Sequence, residues 1–182
     1  MSKIKINEDG TIQIKDVRLS YPHLWTPWNQ EEGKPKKYSG RFILANNTHA
    51  DEIKALQQHN LQLQREYFKE RVPSANLYLR NGDDVGKPEF EDSWYISASE
   101  TIKPQVVNKN RSPVDESDDI VYAGCFVNVL IRPWKQANKH GKKVNANLIA
   151  VQFVRDGERF GQARPDINEH FENEDGEGDG FD

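Results

Sequence analysis

The sequence predicts a mainly β protein, a small closed barrel with one long helix as a lid, extended loops and a disordered acidic tail. Three observations carry this. Most ordered-looking segments alternate apolar and polar residues, only one stretch keeps helical spacing, and charge is split sharply along the chain. Asp166 to Asp182 holds eight of the 29 acidic residues and none of the 25 lysines and arginines. The body, Met1 to Pro165, carries 21 acids against 25 bases, so a basic domain (1–165) is joined to an acidic tail (166–182) and the overall −4 hides it.

The first strands are expected at Lys3 to Ile6 and Thr11 to Leu19, with Ile12, Ile14 and Val17 or Leu19 inward and Asp9-Gly10 as the turn between them. Tyr38 to Leu44 follows as a strand. The spacing of Ile53, Leu56, Leu63, Tyr67 and Phe68 then predicts the helix, started by a weak capping box of Thr48 and Asp51 and stopped by Pro73. Further strands are expected at Asn76 to Leu79, Trp94 to Ser99, Ile120 to Pro133 and Lys143 to Val154. The last two form a long hairpin around the basic loop KQANKHGKK. Asn81 to Asp92 and Asn108 to Asp119 read as acidic, polar loops. Many strands, one helix and long loops favour a closed barrel over a sandwich.

Composition excludes several classes. The 182 residues suit one domain and a tail. No apolar run approaches the roughly 20 residues that span a bilayer, and MSKIKINEDG lacks a signal-peptide core, so the expectation is a cytoplasmic protein without membrane contact. The single Cys125, flanked by apolar strand residues, reads as an inert buried thiol. His23, His49, His59, His140 and His170 show no paired zinc spacing, so neither a metal nor another cofactor is expected.

The chemistry lies in aromatic residues interleaved with bases. YPHLWTPWNQEEGKPKKYSGR supplies Tyr21, Trp25, Trp28 and Tyr38 beside Lys34, Lys36, Lys37 and Arg41; Arg132, Trp134, Lys135, Lys139, His140, Lys142 and Lys143 form a second group at the hairpin. Single-stranded nucleic acid needs both components, cations for the phosphates and flat rings for the bases. Trp25 reads equally well as a core residue, and Lys34, Lys36 and Lys37 have a plainer reading as a solvated loop. A metal-dependent nuclease built on Asp83, Asp84, Glu89, Glu91, Asp92, Asp115, Glu116, Asp118 and Asp119 is a thinner alternative, because these acids cluster in loops where solvation explains them. A protein-interaction module is the other.

YPHLWTP, KKYSGRF, LRNGDD, WYISASETIKPQVV and above all YAGCFVNVLIRPW with GKKVNANLIAVQFVRDGERFG resemble the single-stranded DNA-binding proteins of tailed bacteriophages over about Thr11 to Gly161. The most specific blocks are Tyr122-Ala123-Gly124-Cys125 and Val151-Gln152-Phe153 with Asp156-Gly157-Glu158. The resemblance implies an OB-fold barrel, non-catalytic binding of single-stranded DNA, and a role in phage replication or recombination. It does not assign individual DNA contacts. Weaker binding of double-stranded DNA, binding of RNA, and a homo-oligomer through an edge strand all stay open.

The chain ends HFENEDGEGDGFD, with Glu174, Asp175, Glu177, Asp179, Phe181 and Asp182 near its terminus. Eight acids among glycines bury too little apolar surface to fold, so the tail is expected to be disordered. Acidic tails with a phenylalanine at or near the end occur in many replication single-stranded DNA-binding proteins. The resemblance therefore implies a tail that competes with DNA for the basic groove and presents Phe181 to replication or recombination proteins.

Overall fold

The alternation of the longest strands decides how the sheet closes. The computed structural model describes residues 2–29, 31–160 and 170–175. Strand β1 (Ile4–Ile6) turns at Asp9-Gly10 into β2 (Ile12–Trp28), where the Asp9 carboxylate accepts the Thr11 backbone N–H and Gly10 takes φ +87°. Along β2 the inward residues are Ile12, Ile14, Val17, Leu19 and Leu24, none more than 1% exposed. Both candidates, Val17 and Leu19, face inward because a bulge at Asp16 (φ +59°) shifts the period-two pattern by one residue. Asp16 is fixed there by Arg155, at 3.2 Å, and by Asn128, whose side-chain oxygen accepts its N–H.

Strand β2 runs nine residues past the expected end at Leu19. A second irregularity at Tyr21 (φ +48°) lets it carry Pro22 and continue to Trp28. Its first half pairs with β1 and with β7 (Phe126–Asn138), and its second half with β3 (Lys37–Ala45). Strand β3 pairs with β5 (Ser93–Glu100), and β7 pairs with β8 (Gly141–Arg155). A parallel step from Ser99 to Asn147 joins β5 to β8 and closes a five-stranded barrel. Short β4 (Leu79–Asn81) and β6 (Gln105–Val107) extend β5 and β8. This is the OB-fold-like barrel expected of the sequence.

Helix α1 (Asn46–Phe68) leaves β3 directly and buries Ile53, Leu56 and Leu63 in the main core. Its start and stop differ from expectation. Ala45 is the N-cap and provides no side-chain hydrogen bond, while the expected capping residues lie inside the helix beside a kink at His49. It ends at Lys69, whose left-handed conformation returns its N–H to the Gln64 and Arg65 carbonyls, four residues before Pro73. The expected strand at Asn76 to Leu79 is a 3-10 turn (Ser74–Asn76) followed by β4, and the strand expected from Ile120 starts only at Phe126. Cys125 is fully buried, and burial raises its thiol to about 11, so it stays protonated. Among the described residues no helix is long and apolar enough to cross a membrane.

Glu174 and Asp175 are exposed. Glu177, Asp179, Phe181, Asp182 and the boundary drawn after Pro165 lie outside the described residues.

Candidate nucleic-acid interface

The outward faces of β2, β3 and β5 form a groove of about 730 Å³. Because Gly40, Phe42 and Leu44 point inward on β3 and Ile96 and Ala98 do so on β5, Ser39, Arg41, Ser97 and Ser99 are left on its floor. The second half of β2 adds Tyr21, His23 and Trp28, and the loop after it adds Asn29, Lys34 and Pro35. Trp28 is 47% exposed, with its ring parallel to His23 at 4.5 Å and 5°. A large apolar ring held flat and open to water is a platform on which an unstacked base can lie.

Charge in the groove is cationic. Lys37 pairs in register with Trp28, and Arg41 places its guanidinium 5.1 Å from the Tyr21 ring centre, 5.3 Å from Tyr95 and 5.9 Å from Phe90. Lys34 meets Glu31 at 3.2 Å, but both are about two-thirds exposed, and such pairs contribute little. Lys36 is exposed on the same loop and Tyr38 is half-buried at the start of β3.

Burial lowers the pKa of His23 below the usual 6.5, so at pH 7 the groove holds a neutral imidazole. It lies among Lys34, Lys37 and Arg41 on the groove side and near Glu116, Asp119 and Arg159 on the other. The sign of the consequence follows. Protonation adds a cation facing bound phosphate, so affinity for DNA should rise on acidification, while folded stability is lost as pH falls below the ordinary value of 6.5 toward the lowered one. A titration of affinity from pH 7.5 to 5.5 checks this, and His23→Gln should flatten the profile.

The hairpin residues divide between two faces. On β7 and β8 the register pairs Arg132 with Asn147, Trp134 with Asn145 and Gln136 with Lys143, which places Arg132, Trp134 and Lys143 on the outward face. Lys135 and Lys142 point the other way, over the Phe68 ring at 5.7 and 6.0 Å, and Lys142 also pairs with Glu70 at 2.6 Å. These two latch the hairpin to the end of α1 and are poorly placed to serve the groove. Lys139 lies exposed at the hairpin tip.

Pairing nevertheless connects the two groups. His23, Ser39, Ser99, Asn147 and Arg132 are successive register partners across β2, β3, β5, β8 and β7. Four strand spacings make this outward polar band about 19 Å long. It runs from the Trp28 platform to Arg132, with Trp134 two residues further along β7.

Trp25 is not part of this surface. It is half-buried against the main core, and its indole N–H donates to the Val114 carbonyl at 3.2 Å. Tyr21, expected among the aromatic residues beside the bases, does line the groove, whereas His23, Asn29, Ser39, Ser97, Ser99 and Asn147 were not singled out from sequence; alternation along Tyr38 to Leu44 and Trp94 to Ser99 was the available signal for the three serines. The acidic loops are built by turn chemistry: Asp83 accepts the Asp92 N–H, and Asp115 and Asp118 cap each other's backbone. Among the described residues no three His, Cys, Asp or Glu side chains gather as metal ligands.

Comparison with known proteins places these features in context. The family described by the ssDNA-binding protein of Enterobacter phage Enc34 matches residues 10–181. A protein designated p50 from Acyrthosiphon pisum secondary endosymbiont phage 1 is 31% identical over 158 residues, covering 82% of this chain and 85% of its own. The bacteriophage Enc34 single-stranded DNA-binding protein in complex with ssDNA superposes with a TM-score of 0.80 at 34% identity, covering 88% of this chain and 95% of that one. Its C-terminally truncated form gives 0.78 at 36% identity, with 88% and 94% covered. The bacteriophage T7 single-stranded DNA-binding protein gp2.5 shares the fold, at a TM-score of 0.53 and 14% identity over 89% of this chain and 99% of that one.

Proposed function

The chain belongs to the ssDNA-binding protein family of Enterobacter phage Enc34, and from that premise we propose that it holds single-stranded DNA without catalysis during phage replication or recombination in the host cytoplasm. The observation that carries the reading is the groove: an exposed Trp28 stacked on His23, lined by Lys34, Lys37 and Arg41. Cations neutralise phosphates and release counterions, and rings stack on bases, so sequence preference is slight and affinity falls steeply with salt. Duplex DNA keeps its bases stacked and offers nothing to Trp28, so it is held more weakly.

The acidic tail competes for the same groove and presents Phe181 to replication or recombination proteins. Its point of departure supports this. Phe160 packs against the cluster of Ile43, Phe90 and Tyr95, and the last two of these rings also surround Arg41. Five residues lie between Phe160 and Asp166, six chain steps that span at most about 22 Å, a length that lets the first tail carboxylate reach toward the groove cations.

The test is fluorescence anisotropy of a labelled dT oligonucleotide with the full chain and with a chain ending at Pro165, at two salt concentrations. Salt-sensitive binding that tightens on truncation is expected. No binding by either chain overturns the DNA reading, whereas unchanged or weaker binding by the truncated chain removes tail competition alone.

A further inference from the structure

Arg41 and Lys87 are set around one ring, at the edge of the groove and beyond it. Lys87, exposed on the loop between β4 and β5, places Nζ 4.5 Å from the centre of the Tyr21 ring that also faces Arg41. Among the described residues neither cation is paired with a carboxylate or spends its side-chain donors on the protein. Arg18, Arg132, Arg155, Arg159 and Lys142 all do one or the other. Aromatic contact orients a cation without neutralising it, because the ring offers a quadrupole and no counter-charge. Both charges therefore stay available to an anion.

We infer that Lys87 and Arg41, arranged by Tyr21, form a phosphate-binding corner that carries the single-stranded DNA path out of the groove onto the loop spanning residues 82–92. This rests on the DNA-binding reading and adds to it a contact on a loop otherwise dominated by acids. Tyr21 sits at φ +48°, a left-handed conformation that non-glycine residues rarely hold, at the break in β2–β3 pairing between Ser20 and His23. That turn of the backbone directs the ring toward the loop.

The loop is built well enough to hold a lysine in place. Asn81 accepts the Asp83 N–H, Asp83 accepts the Asp92 N–H, and Phe90 is fully buried against Tyr95. A Cβ on Gly82 would overlap the Phe90 carbonyl oxygen, so the loop's two ends are packed backbone to backbone. Asp83, Asp84, Glu89, Glu91 and Asp92 make the loop acidic overall, and diffuse attraction therefore does not bring DNA here. The lone base of the loop acts by placement. The ligand is a phosphodiester of the strand already lying on Trp28, since Tyr21 and Arg41 also line the groove.

The experiment measures dT oligonucleotide affinity across a salt series with the full-length protein, Lys87→Ala, Lys87→Arg, and Lys5→Ala on β1 as a control for net charge. Lys87→Ala is expected to reduce the slope of log affinity against log salt by about 0.7, one phosphate contact on a single strand, so that the affinity lost between 50 and 200 mM salt shrinks by about 2.5-fold. Lys87→Arg should keep the parent slope, and Lys5→Ala should too. If the parent binds and Lys87→Ala keeps its slope, or changes it no more than Lys5→Ala, the corner is overturned and the DNA reading stands. If the parent itself fails to bind, the DNA reading falls and this inference with it.

Discussion

Replacing Trp28 with alanine is expected to weaken dT oligonucleotide binding by about ten- to a hundredfold while leaving the melting temperature within about 2 °C of the parent. The affinity term is the loss of one base–ring stack, about 1–3 kcal/mol. The stability term is small because the ring is 47% exposed and its principal neighbour, His23, keeps its own place on β2. Trp25→Ala should behave in the opposite way. That ring packs on the core and donates to Val114, so its removal should lower the melting temperature and leave the affinity of the folded fraction unchanged. If Trp28→Ala bound DNA as tightly as the parent, the stacking platform would have been misplaced.

The contrast between these two tryptophans shows what sequence can and cannot resolve. Both stand in YPHLWTPWN, three residues apart, beside prolines. Period-two reasoning assigns faces only while the strand is regular, and β2 is interrupted at Asp16 and again at Tyr21. After two such shifts, neither Trp25 nor Trp28 can be assigned a face by counting from Ile12. The hairpin was legible, and its tip-proximal part is regular: from Ile131 paired with Leu148 to Asn138 paired with Gly141 the register runs without a shift, and Arg132 and Trp134 face outward, the bulges falling nearer the strands' other ends. Lys135 and Lys142 belonged to the same basic run, yet they face the end of α1, whose position depends on contacts some 70 residues away. Tyr21 was legible as an aromatic beside the bases, but its meeting with Lys87 across 66 residues had no local signal. The barrel, its helix and the lysine-bearing loop were legible because patterning and composition are local properties; the polar band and the cation corner depend on register.

Gly124→Ala is expected to cost about 4 kcal/mol or more, lowering the melting temperature by about 10 °C, by a mechanism that explains why two short blocks stood out in the sequence. In Tyr122-Ala123-Gly124-Cys125, Gly124 sits at φ +111°, and a Cβ there would overlap the Glu158 carbonyl oxygen. In Asp156-Gly157-Glu158, a Cβ on Gly157 would in turn overlap the Gly124 carbonyl oxygen. The two backbones are thus in contact through their glycines. Arg18 ties them together, donating from Nε to the Gly124 carbonyl at 3.0 Å and from its terminal nitrogen to the Glu158 carbonyl at 2.6 Å. The Tyr122 hydroxyl faces the Gly157 carbonyl at 2.9 Å and accepts the Gly157 N–H at 3.1 Å.

Neither overlap can be relieved by moving a flexible side chain, because the obstructing atoms are backbone held by those bonds and by the pairing of Leu19 with Gly124 and Cys125. Gly33→Ala separates this effect from conformational strain alone. Gly33 also has positive φ, at +88°, but open space surrounds its missing Cβ, so the change should cost only about 1 kcal/mol. Thermal melts of the two variants decide the matter, and equal losses would leave the interlock without energetic weight. A large loss at Gly124 alone would bear on function as well. The interlock fixes residues 158–160 beside the Ile43, Phe90 and Tyr95 cluster, and so sets where the acidic tail leaves the body relative to the cations it is proposed to compete for.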